Sequence, residues 1–227
     1  KLNGTSDDLD LSLGDFVNRV NSDLVGKITN LASRGAQMLH KNLDGRTGSM
    51  DEAGERLLRQ ALDRADAIAD CYEHRNFAGA MVEIRDLADA ANRYFDDNAP
   101  WKLIKTEPEA ARKVLTSTLH LFRTFAIYLA PVLPGYAEKT AKLFGENAPY
   151  RWNDLEKRIE NRQLAPYEYL ATRIEQAKVD AMIEQSAEAA VTAAKNAACN
   201  AVVHQSGRKS KRTLQWDFTY QQGSHGG

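Results

Sequence analysis

The chain has 227 residues, a formal net charge of −1 and two cysteines. A chain of this size buries roughly 70% of the surface it exposes when unfolded, so it needs neither disulfides nor a metal to fold. The near-neutral balance excludes a protein that holds nucleic acid through bulk phosphate attraction alone; such binding would need a local patch or another domain.

The pattern predicts helices almost throughout. Residues 1–11 form an acidic lead-in with Asp7, Asp8 and Asp10. Ser12, three residues before Asp15, marks a helix start. Phe16, Val20, Leu24, Ile28, Leu31 and Leu39 then recur mostly every three or four residues, the apolar face of a helix running to about Leu43. Asp44, Gly45 and Gly48 end it. Ser49 and Glu52 read as a capping box for a second helix reaching about Tyr72. A third helix carries Phe77, Met81, Ile84, Leu87, Ala88, Ala91 and Tyr94, and Pro100 closes it by disfavouring helical geometry at Ala99. Thr106 and Glu109 open a fourth helix, with Pro108 in its first turn. That helix is apolar nearly all round from Val114 to Leu129, which places it at the centre of a bundle.

Pro131 and Pro134 end the fourth helix, and a short fifth spans about Tyr136 to Phe144. Residues 145–165 read as loop. Pro166 opens a last long helix with Leu170, Ile174, Val179, Met182 and Ile183 on one side. Residues 187–204 read as an alanine-rich helical extension, and 205–227 as a basic, disordered tail with Arg208, Lys209, Lys211 and Arg212. The expected fold is therefore all-α, a bundle of five or six helices over residues 1–186.

Cys71 and Cys199 lie far apart with no CxxC pair, which fits reduced thiols in a cytoplasmic protein. Residues 1–15 are too polar for a signal peptide, and the start at Lys1 without methionine points to a piece of a longer chain. The apolar run Val114–Leu133 contains His120 and Arg123, so it reads as a core helix and not as a membrane span. Cys71 and His74 have CxxH spacing, but no second pair follows to complete a zinc site.

Four stretches carry a resemblance. The first is Lys1-Leu2-Asn3, then Asp15-Phe16-Val17-Asn18-Arg19-Val20-Asn21, then Asn30-Leu31-Ala32-Ser33-Arg34. The second is Leu87-Ala88-Asp89, Ala91-Asn92-Arg93-Tyr94 and Ala99-Pro100-Trp101. The third is Leu121-Phe122-Arg123 and Tyr128-Leu129-Ala130-Pro131-Val132-Leu133-Pro134. The fourth is Arg173-Ile174 with Val179 and Ile183-Glu184. In this order and spacing they resemble the methionyl-tRNA synthetases over roughly residues 1–186. The resemblance implies a class I synthetase anticodon-binding bundle. It implies a tRNA partner specific for methionine, bound at the anticodon loop, and the catalytic domain of the same enzyme; no membrane and no DNA are implied. Asn30, Arg34, Pro100 and Trp101 match the family's anticodon-contacting positions.

Asn30 and Arg34 are four apart, so they neighbour each other on one helix face, turned away from Ile28. An amide beside a guanidinium suits the base edges of an unpaired loop, and equally an ordinary solvated face. Trp101 after a proline could stack a base or pack between helices. The family's His-Ile-Gly-His-type motif and Lys-Met-Ser-Lys-Ser-type loop do not occur, so the chain alone is expected to be inactive and to hold no cofactor. The enzyme the resemblance implies uses ATP and magnesium, with zinc in some members. Two other readings stay open: the anticodon bundle of another class I synthetase, and a helical interaction scaffold with no RNA role.

Overall fold

A computed structural model describes residues 12–186; the acidic lead-in and the two C-terminal segments predicted over 187–227 lie outside the described residues. The described chain divides after Ile174, and a helix over 176–186 belongs to a second unit beginning at Glu175. The first unit is all-helical, as expected: α1 (Leu13–Arg19), a π-helical segment (Val20–Thr29), α2 (Asn30–Asn42), α3 (Glu52–Leu62), α4 (Ala65–Glu73), α5 (Phe77–Asn98), α6 (Pro100–Thr106), α7 (Pro108–Leu129) and α8 (Pro134–Phe144), then a 3-10 turn (Trp152–Glu156). One isolated bridge, Arg46 to Gln163, is the only β pairing among the described residues.

The core forms around α7. Every residue from Val114 to Leu129 is buried, and α7 packs on α2, α3, α5, α6 and α8. Leu115, Leu119, Phe122 and Phe125 have no exposed surface. Burying side chains of this size contributes about 1.5–3 kcal/mol each. The buried hydroxyls are paired within the helix or across it: Thr118 donates to the Val114 carbonyl and Thr124 to that of His120. Gly54 of α3 lies where α3 meets α7, and a Cβ there would overlap the Ser117 side chain, so no other residue fits without moving a helix.

Asp51 ties three helices together. It is the N-cap of α3, accepting from the Gly54 N–H at 2.8 Å, and it also accepts from the Tyr94 hydroxyl at 2.7 Å and the Ser117 hydroxyl at 3.0 Å. The cap of this helix is therefore Asp51 and not Ser49. Thr106 likewise does not cap α7; Glu107 holds that position without a side-chain bond, and Pro108 supplies a residue that needs no hydrogen-bond acceptor. Pro134 does not end a helix but starts α8, for the same reason.

Two further departures have clear causes. The first helix is interrupted by the π-helical segment. There Asn92 Nδ2 donates to the Lys27 carbonyl at 3.4 Å, and Lys27 pairs with Asp89 at 2.8 Å. The wider turns shift the helical phase, so Phe16 is exposed and Val17 is buried in its place. The predicted last helix does not begin at Pro166. Residues 166–175 run as a non-helical strap, and helix begins only at 176. The strap is held from both ends. The Ala165 N–H donates to Leu143 O, His40 bonds the Ala165 carbonyl, and the Asn21 amide holds both the N–H and the C=O of Ile174 at 2.8 Å. These bonds fix the strap at its two ends, at Ala165 and at Ile174, and Leu170 is buried between them.

His120 of α7 is fully buried, and neither ring nitrogen has a partner among the described residues. Burial, then the nearby charges of Arg123, Arg158 and Arg162, push its pKa from 6.5 down to about 3. Because the folded value lies below the unfolded one, the stability carried by the neutral ring is complete above about pH 6.5 and is lost as pH falls towards 3. At pH 5 the chain is expected to have lost on the order of 2 kcal/mol that a His120→Leu variant keeps. Urea midpoints of both proteins at pH 7 and pH 5 check this; equal pH slopes would contradict it.

Candidate nucleic-acid interface

Arg34 and Trp101, 67 positions apart in the chain, come together in space. Arg34 stands one turn into α2, where its neighbours Leu31, Ala32, Gly35 and Ala36 are buried against the bundle. That seating leaves its side chain on the opposite face, half-exposed. Its guanidinium carbon lies 4.3 Å from the Phe95 ring centroid and 5.4 Å from that of Trp101. Nη2 donates to Asp96 Oδ1 at 3.1 Å.

Trp101 is held by a local device at the end of α5. Ala99 adopts the left-handed conformation, φ 42° and ψ 58°, and its N–H bonds back to Phe95 and Asp96 carbonyls. Pro100 then opens α6 as its first residue and is itself buried. The α5–α6 corner is thus fixed by two residues with little freedom. Trp101 comes out of it with its ring 5.8 Å from Phe95, tilted by 42°, and 37% exposed. Neither alternative drawn from the sequence describes it alone. One part of the indole packs on Phe95 and Arg34, and another part is open to solvent.

Asn30 is the first residue of α2, directly after the π-helical segment and one turn before Arg34. It is half-buried, and its amide makes no hydrogen bond among the described residues. It shares a helix face with Arg34 but is not drawn into the Arg34–Phe95–Trp101 cluster. Two members of that cluster were missed from the sequence, Phe95 and Asp96. Phe95 is fully buried beneath the guanidinium. Asp96 is exposed and fixes the guanidinium from the side. Their position just before Ala99 and Pro100 was the only signal, and it does not say which helix α5 faces.

A planar cation stacked on one aromatic and beside a second, half-open aromatic is suited to an unpaired base. The indole offers a stacking face, and the guanidinium has further N–H donors beyond the one given to Asp96. An exposed ion pair of this kind is worth at most about 1 kcal/mol, so Arg34 can exchange Asp96 for another acceptor at small cost.

Known proteins match this chain in family and in fold. A family model for the anticodon-binding domain of methionyl tRNA ligase matches residues 45–189. Pro100 and Trp101 fall within that range, and Asn30 and Arg34 precede it. A methionine–tRNA ligase of Bdellovibrio bacteriovorus is 53% identical over 203 residues, covering 88% of this chain and 29% of that protein. The apo form of Mycobacterium tuberculosis methionyl-tRNA synthetase superposes with a TM-score of 0.67 at 29% identity, over 73% of this chain and 35% of its own. The same enzyme in complex with methionyl-adenylate gives 0.64 at 30% identity, over 69% and 33%. The chain thus spans less than a third of the length of the curated relative it matches.

Proposed function

This chain belongs to the anticodon-binding domain family of the methionyl-tRNA ligases, and we propose that it reads the anticodon loop of methionine tRNA for an enzyme that attaches methionine to that tRNA. The observation that carries the proposal is the Arg34–Phe95–Trp101 stack with Asp96 at its side. Trp101 takes one unpaired base on its open face. Arg34 and Asn30, on the adjoining helix face, address base edges with donors and an acceptor. Pro100 acts through Trp101 by setting the direction in which α6 leaves the corner.

ATP and magnesium act in the catalytic part of such an enzyme, as does zinc where it occurs. Among the described residues no three His, Cys, Asp or Glu side chains gather to hold a metal ion. In the proposed reading the adenylate chemistry falls to the catalytic domain that would be the chain's partner. No helix among the described residues is long and apolar enough to cross a membrane.

The anticodon bundle of another class I synthetase is the second reading. The family match and the Bdellovibrio relative favour methionine over it. The test is binding of the chain to an RNA hairpin with the cytosine-adenine-uracil loop, against one with an altered loop, at low and moderate salt. Preference for the first, with a shallow salt dependence, is expected. Equal binding that falls steeply with salt would mean phosphate contacts alone and would remove the proposal.

A further inference from the structure

A second polar site shares no residue with the Arg34–Trp101 surface. Where the end of α8 meets the loop 145–157, a cavity of about 470 Å3 opens over the middle of α7. Four cations line it: Arg123, Arg151, Lys157 and Arg162. Two carboxylates, Glu146 and Asp154, also line it.

Both carboxylates are already occupied. Glu146 accepts from Arg123 Nε at 2.7 Å and from Arg162 Nη1 at 2.9 Å. The Tyr150 hydroxyl adds a third bond at 2.8 Å. Asp154 pairs with Lys157 at 2.6 Å and accepts from the Arg151 N–H at 2.7 Å. Two positive charges are therefore left over in the cavity wall, and Arg151 makes no salt bridge among the described residues.

Arg123 decides what this surplus is for. Its side chain has no exposed surface. Nε and Nη1 are bonded, Nη1 to the Lys157 carbonyl at 3.3 Å, yet Nη2 has no partner among the described residues. A buried donor of a charged group is costly to leave without an acceptor. A polar cavity bordering such a group is suited to an anion that completes the guanidinium's bonds. The group must bring several oxygens to an Nη2 and to two rim cations at once, which a tetrahedral oxyanion does.

We propose that this cavity binds a phosphate group, seated on Arg123 and closed over by Arg151 and Lys157. The same chemistry is offered by free inorganic phosphate and by a phosphate of an RNA backbone.

The test uses the full 227-residue chain. Its melting temperature is measured in millimolar inorganic phosphate and in chloride of equal ionic strength, and phosphate affinity is measured by calorimetry. Phosphate is expected to raise the melting temperature by about 3 °C over chloride. Arg151 and Lys157 lie on the exposed rim, so the double variant R151Q/K157Q should fold normally. It is expected to bind phosphate about tenfold more weakly. R34Q should leave phosphate binding unchanged. Equal melting temperatures in phosphate and chloride, or equal phosphate affinity in the double variant, would overturn the site. The anticodon hairpin separates the two sources. If R151Q/K157Q also weakens the hairpin and phosphate competes with it, an RNA phosphate occupies the cavity. If the hairpin is unaffected while phosphate binding falls, the ligand is the free anion.

Discussion

Replacing Glu146 with alanine is expected to lower the unfolding free energy by about 3–5 kcal/mol. Glu146 is 8% exposed and takes bonds from two arginines and a tyrosine. One of those arginines, Arg123, is wholly inside the protein and runs out from the centre of the most buried helix. Without the carboxylate its charge stays in a poorly solvated place with no opposite charge at bonding distance. The mutation removes one partner of a buried pair, which is far worse than removing both. A Glu146→Gln variant retains acceptors for Tyr150 and one arginine and should lose less. Urea denaturation of the three proteins gives the ranking. A Glu146→Ala chain within about 1 kcal/mol of the wild type would show that Arg123 is solvated by another route.

Replacing Trp101 with alanine should leave the fold nearly as stable as before and weaken the methionine anticodon hairpin by about 5- to 150-fold. That range is the roughly 1–3 kcal/mol of one base–aromatic stack. The indole is more than a third exposed, so its truncation opens no sealed core cavity. Arg34 would keep Phe95 and Asp96 but lose the ring that borders it on the open side. Trp101→Phe should fall between the two, because it keeps a smaller stacking face. Hairpin titration monitored by fluorescence anisotropy, with a thermal melt of each variant, separates the effects. Unchanged affinity in a folded Trp101→Ala chain would rule out base stacking at this corner.

Some of this was legible from residue order and some was not. The helices of the bundle show in their apolar spacing because that spacing reports one local fact, which side of a helix is covered. The central place of α7 shows for the same reason, since a helix covered on all sides is apolar on all sides. The strap over 166–175 carries a helix-like pattern in the sequence, because Leu170 and Ile174 are four apart, as helix neighbours would be. The far end of the strap is held at Ile174 by the Asn21 amide, more than 150 residues earlier, and no local pattern carries that information. The cap of α3 is set by distant partners as well. Ser49 and Glu52 satisfy the spacing rule, but Asp51 also reaches Tyr94 and Ser117 on other helices, and those bonds settle the choice. At the interface, Arg34 and Trp101 entered through the family resemblance. Phe95 and Asp96 join them only because the end of α5 comes within reach of the Arg34 side chain.

Phe95 has one more consequence. It is fully buried, so the floor under Arg34 is part of the core and cannot be reshaped without disturbing the bundle. The α2 backbone beside it is seated just as firmly through Leu31, Ala32 and Ala36. In the proposed reading, the protein that meets RNA therefore has little left to order beyond the rotamers of Arg34 and Asn30. The loss of conformational freedom falls on the other molecule, whose loop nucleotides must unstack and stop moving. Two RNAs with the same three anticodon bases should then bind differently if one loop is already splayed and the other is well stacked. The difference in affinity would measure the stiffness of the loops and not any difference in contact.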